Sequence, residues 1–236
     1  MAAARDHSSA LVDEVRRRLA ALPRVDAPSV RTLRRRWSAD LAVAPPKTVL
    51  LFVRSLLRRA GWAQRVVAWE VLAAHPGAFG LIDDRLAEEM ACGLSDWASI
   101  DLYGVTVLGQ AWREGLVSEA RIVRWTKSPD RWHRRLALVA TVPLNSRARG
   151  GSGDARRTLR ICRVLLDDRD DMVVKAMSWA LRELAKRQPA VVESFVAREE
   201  ERLAARVRRE VLHKLRTGLK SARRPVGRPG RVERFR

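Results

Sequence analysis

Trp97 and Asp101 stand four residues apart, so on a helix an indole and a carboxylate share one face. That pairing suits a cationic, sugar-like centre. When a purine departs from a nucleotide, the sugar becomes oxocarbenium-like. A carboxylate can stabilise that charge and orient a water, and an indole face can contact the sugar. The same spacing also describes an ordinary helix with one side in the core and one in solvent. A second group is Trp132, Arg134 and Arg135, in which Trp132 and Arg135 are helical neighbours and Arg135 could grip a phosphate bidentately. Read plainly, it is a core tryptophan beside solvated arginines. Lys175, Trp179 and Arg182 form a third stripe at i, i+4 and i+7, with Val173, Val174, Ala176, Met177 and Ala180 as its buried side. For Arg182 and Glu183 structural ion pairs between repeats are the favoured reading. Arg206, Arg208, Arg209, Lys214, Arg216 and Lys220 make the last helix either a phosphate-gripping element or a solvated face.

Other chemistries find little support. His7, His75, His133 and His213 have no ligand spacing, and no CxxC or Cys/His cluster exists, so no metal site is expected. Gly150-Gly151-Ser152-Gly153 lacks the lysine and the preceding strand of a phosphate cradle. Cys92 and Cys162 read as reduced core thiols.

The elements that must position these residues read almost entirely as helices of period 3.6, split by Pro, Gly or Asp/Ser signals. Asp26-Ala27-Pro28, Pro45-Pro46, Ser95-Asp96, Ser118 and Ser128-Pro129-Asp130 mark helix starts, and His75-Pro76-Gly77 marks a turn. One helix is predicted over about Leu81 to Cys92, another from Ser95-Asp96 through Leu108, and a Gly/Ser loop over Asn145 to Asp154. Strand signals are almost absent. The fold class is therefore all-α: an α-solenoid of about six antiparallel helix pairs, a HEAT-like superhelix, with a compact irregular bundle as the alternative. Residues 1–220 read as one domain. Residues 221–236 read as a basic, disordered tail, in which Gly227-Arg228-Pro229 resembles the core of a minor-groove hook or simply grips phosphates.

Charge narrows the partner. The 236 residues carry 47 Lys and Arg against 27 acids, a net +20, and 41 of the cations are arginine. Such an excess costs self-repulsion unless a polyanion shares the surface, and nucleic acid is the natural candidate. No apolar run reaches the ~18 residues of a membrane helix, and no secretory signal is evident, so a cytoplasmic protein is expected.

At three places the sequence resembles the AlkD-like DNA alkylation repair glycosylases, a family of HEAT-like repeat proteins. The matching stretches are Trp97-Ala98-Ser99-Ile100-Asp101, Ser128-Pro129-Asp130-Arg131-Trp132-His133-Arg134-Arg135, and Val174-Lys175-Ala176-Met177-Ser178-Trp179-Ala180-Leu181-Arg182-Glu183, with Arg208-Arg209-Glu210 and Lys214-Leu215 near the end. The resemblance implies a monofunctional glycosylase that hydrolyses the N-glycosidic bond of N3- or N7-alkylated purines in duplex DNA, as a monomer. It implies no flipping of the damaged base and no cofactor or metal. Asp101, with Trp97 and Trp179, would be catalytic. Arg135, Trp132, Arg134, Lys175, Arg182, Arg208, Arg209 and Lys214 would bind DNA. The chain departs from the family pattern at Ala98, where a second acid is frequent, and at Gln64-Arg65, where Glu-Arg is frequent. It also lacks an aromatic-rich motif before Val30-Arg31-Thr32-Leu33-Arg34. A non-catalytic HEAT-like DNA- or RNA-binding module is the alternative these departures leave open.

Overall fold

In the computed structural model, which describes residues 2–219, every regular element among the described residues is helical. In chain order these are α1 (Ala2–Ala20), α2 (Ala27–Asp40), α3 (Pro46–Leu57), α4 (Trp62–Ala74), α5 (Pro76–Phe79), α6 (Asp84–Ala91) and α7 (Trp97–Tyr103). A π-helical stretch (Gly104–Leu108) joins α7 directly to α8 (Gly109–Arg113). There follow α9 (Glu119–Thr126), α10 (Arg131–Val139), α11 (Val142–Asn145), α12 (Ala155–Val164), α13 (Asp171–Ala185), α14 (Pro189–Arg198) and α15 (Ala205–Thr217). The proposed tail 221–236, with its Gly227-Arg228-Pro229 turn, lies outside the described residues, as does Lys220.

The helices bury the faces that their spacing marks out. In α3, Val49, Phe52, Val53 and Leu56 are inaccessible to solvent, and in α1 the same holds closely for Val12, Val15 and Leu19. Asp26, Asp96, Asp130 and Asp170 each accept a backbone N–H from the first turn of the helix they precede, which satisfies donors that a helix start leaves unpaired. Six helices pack in succession: α2 on α4, α4 on α7, α7 on α10, α10 on α13 and α13 on α15. Polar contacts cross these junctions at a recurring interval. Arg65 to Ser99 and Arg135 to Asp101 span 34 residues, and Arg206 to Asp171 spans 35.

Four local expectations change. The helix predicted from Leu81 starts at Asp84, because the Asp83 carboxylate caps it at the Leu86 N–H, 2.7 Å away. The His75-Pro76-Gly77 turn opens a one-turn helix, with His75 Nδ1 accepting the Ala78 N–H at 3.0 Å. The Asn145–Asp154 loop contains a 3-10 turn at Arg147–Arg149 and is anchored at a buried side chain. Asn145 donates to Thr141 O and Thr158 Oγ1 and accepts the Asp154 N–H. The helix predicted through Leu108 runs on to Arg113, with the π stretch inside it.

Close approach between α10 and the continuous helix formed by α7, the π stretch and α8 depends on two glycines. A Cβ on Gly104 would lie 2.6 Å from Val139 Cγ1, and one on Gly109 would lie 2.4 Å from the Ala140 carbonyl oxygen. The order of these contacts, 104 with 139 and 109 with 140, makes the two helices parallel and sets their register.

Candidate active site

α7 is held at both ends before it offers any chemistry. Asp96 caps it, and Arg65 from α4 donates to Asp96 Oδ2 at 3.1 Å and to Ser99 Oγ at 2.6 Å. At the other end the buried Tyr103 hydroxyl donates to the Ala87 carbonyl at 2.9 Å. Trp97 is the first helical residue and projects outward, 59% exposed, while Asp101 follows one turn later, mostly buried. The helical spacing thus does put indole and carboxylate on one face.

Arg135 meets Asp101 across the α7–α10 contact. Its Nε donates to Asp101 Oδ1 at 2.9 Å and its Nη2 to Oδ2 at 2.7 Å, a bidentate pair. Its Nη1 donates to the Met172 carbonyl in the first turn of α13. One guanidinium therefore ties three helices together, and Arg135 is only 5% exposed. Burial pushes the Asp101 carboxyl above its ordinary pKa, while the hydrogen bonds and charge of Arg135 pull it back, and Asp96 nearby adds a smaller upward push. Both carboxylate oxygens keep a second lone-pair position for a water or a developing cation.

α13 brings up the opposite wall. Capped by Asp170, it presents Lys175, Trp179 and Arg182 on one stripe as the spacing predicts, and all three line the same cleft as Trp97, Asp101 and Arg135. The cleft has a volume of about 610 Å³, and α15 closes its far side with Arg206, Glu210 and Lys214. Among the described residues six cations stand in it against three carboxylates, Asp101, Glu183 and Glu210.

Not every expected DNA contact is available for one. Arg134 faces away from the cleft. Its Nε donates to Asp168 at 2.6 Å and its Nη1 to the Ser128 and Pro129 carbonyls at 3.0 and 2.8 Å, so it is a structural brace. Arg182 lines the cleft but is buried, donating to Ser178 Oγ and, across the α13–α15 contact, to Glu210. Arg135, expected at a phosphate, spends three of its five donors on Asp101 and Met172 and orients the carboxylate. Trp132 lies outside the cleft lining, half-buried, with the Arg131 guanidinium 5.1 Å from its ring centre. Arg208 pairs with Glu200 at 3.1 Å on the surface, Lys175 with Asp171 at 2.6 Å, and Lys214 with the Gly218 carbonyl. Arg209 is exposed. Met172 and Lys186 join the site without any sequence signal, Met172 because it serves through a backbone carbonyl.

Cys162 is fully buried, its thiol pushed up to about 12 by burial, whereas Cys92 is exposed, against the expectation of two core thiols. No group of His, Cys, Asp or Glu among the described residues could hold a metal ion, and no described helix is long and apolar enough to cross a membrane.

The described residues form a succession of packed helices that carry a carboxylate–guanidinium pair and two indoles in a cationic cleft. Residues 24–215 match the DNA alkylation repair enzyme family, and the chain belongs to it. The match runs from just before α2 to the last turns of α15 and so takes in every residue of the cleft. Membership makes alkylation repair its process and DNA its partner. No curated protein matches the chain.

Proposed function

We propose that the chain is a monofunctional DNA glycosylase that hydrolyses the N-glycosidic bond of N3- and N7-alkylated purines in duplex DNA. The observation that carries this reading is the bidentate Asp101–Arg135 pair, opening on a cleft whose edges hold Trp97 and Trp179. Alkylation at those ring nitrogens makes the base cationic, so it leaves with the electron pair of the C1′–N bond as a neutral molecule. The positive charge passes to the sugar. Asp101, held ionised and oriented by Arg135, stabilises that charge and steers a water to C1′, and the water's proton passes to the carboxylate or to solvent. Trp97 and Trp179 supply flat faces for the deoxyribose. A base that already carries its charge needs no general acid, and an open cleft edged by an exposed indole suits attack on a nucleotide left in the stack rather than flipped.

The same reading takes the six successive helices as the inner members of an α-solenoid. Their starts at residues 27, 62, 97, 131, 171 and 205 step by 34 or 35 residues except for the longer step of 40 from α10 to α13, and with the polar contacts spanning 34 or 35 residues they support a repeat of about that length. The array acts as a single domain whose concave side carries the cleft.

The test is release of 3-methyladenine and 7-methylguanine from methylated duplex DNA by the wild type, Asp101→Asn and Asp101→Ala. Removing the carboxylate is expected to slow release by about 10²- to 10³-fold while DNA affinity is kept. A wild type that binds methylated and bulkier-alkylated duplexes but releases nothing would make the chain a binding module instead.

A further inference from the structure

A second cavity lies one helix away from the cleft, between the end of α3, the middle of α4 and the end of α6. Its volume is about 180 Å³, enough for a small polyatomic ion with a water or two. Among the described residues Arg54, Arg58 and Arg65 line it against a single acid, Glu89, over an apolar floor. The Arg54–Glu89 pair is internally satisfied, with contacts of 2.7 and 2.8 Å. Arg58 is exposed, and its side chain makes no hydrogen bond or ion pair among the described residues. Trp69 also lines the cavity. It is wholly buried and tilted against Tyr103, with ring centres 5.2 Å apart, yet its indole Nε1–H has no hydrogen-bond partner among the described residues. A buried donor without an acceptor is costly, and in a native protein it points to a water or an ion. The residue after Arg58 is strained, since Arg59 holds a left-handed conformation at φ 59°.

Unused guanidinium donors and an unused indole donor around one small cavity call for an acceptor-only ligand bearing negative charge. We infer that this cavity binds a phosphate group, held by Arg58 and Arg65 and hydrogen-bonded by Trp69 Nε1–H. Arg65 is shared with Asp96 and Ser99, so an occupant would bear directly on the cap of the helix that carries Trp97 and Asp101. The group could come from free phosphate or from a DNA strand passing the rim.

The eight tryptophans give eight indole N–H resonances, and the one missing in Trp69→Phe identifies Trp69. Inorganic phosphate, titrated into the full chain at constant ionic strength, is expected to move that resonance saturably. Arg58→Gln should abolish the shift while leaving the other seven resonances in place. An unmodified duplex in phosphate-free buffer forms the second arm. A shift there, again lost in Arg58→Gln, with none from free phosphate, would assign the group to the DNA backbone. Alkylation of Cys92, the exposed thiol at the cavity, should slow in the presence of whichever source binds, a readout that needs no variant. No shift with either source, or a linear drift shared by all eight resonances, overturns the inference and leaves Trp69 bonded to water. None of these outcomes depends on base release.

Discussion

Gly104→Ala tests whether the contact between α7 and α10 sets the geometry of the Asp101–Arg135 pair. The added methyl would lie 2.6 Å from Val139 Cγ1 and 3.3 Å from Leu136 Cδ1. Ordinary carbon–carbon contact is about 3.5–4.0 Å, so α10 must withdraw by about 1 Å. Val139 cannot easily rotate away, because a β-branched side chain on a helix has one strongly preferred rotamer. Overpacking of this kind costs about 1–3 kcal/mol, offset by roughly 1 kcal/mol from replacing a helical glycine with alanine, so stability should fall by about 0–2 kcal/mol and the protein should stay folded. Activity should change much more. Asp101 and Arg135 lie one turn before the clash on their respective helices, and a displacement of about 1 Å at a reacting group can cost on the order of 10²-fold. The assay is release of 7-methylguanine from methylated duplex, with a urea transition run on the same preparation. Adding Val139→Ala to Gly104→Ala removes the obstructing methyl and should restore most of the rate. A Gly104→Ala protein that releases base at the wild-type rate would refute the claim that this approach positions the pair.

Arg135→Met leaves Asp101 buried without its cation, which should destabilise the fold by about 3–5 kcal/mol in urea. Its pH dependence has a definite sign. The folded-state pKa of Asp101 is already raised by burial and rises further without Arg135, so the carboxyl favours the fold at low pH and loses that contribution as pH climbs through its folded pKa. The urea midpoints of variant and wild type should therefore converge on acidification, and any residual base release should fail at a higher pH than in the wild type. Arg209→Gln and Arg134→Gln separate a phosphate contact from a brace. The first should lower the slope of log affinity against log salt by about 1. The second should leave the slope unchanged and cost about 1–3 kcal/mol of stability through its lost bonds to Asp168 and the Ser128 and Pro129 carbonyls.

What the sequence determined was local. Apolar spacing marks the helices, Asp96 and Asp130 mark where α7 and α10 begin, and the four-residue step from Trp97 to Asp101 places both on one face whatever surrounds them. The same holds for Lys175, Trp179 and Arg182 along α13, because helical periodicity and capping depend on residues within a turn of one another. The net charge of +20 likewise pointed to a polyanion without any structure. Tertiary structure decided which cations remain for that polyanion. Arg134 and Arg135 are adjacent and chemically identical, yet a step of roughly 100° around the helix sends one to Asp168 and the other to Asp101. Their partners lie 34 residues away in opposite directions along the chain, a distance at which no local rule operates. Nor could the sequence show that Gly104 and Gly109 are spacers between helices rather than weak points in one, because a glycine's use depends on what a side chain there would meet. The carboxylate was legible as a candidate. Its fixed orientation, raised pKa and cleft exist only once α7, α10 and α13 are packed together.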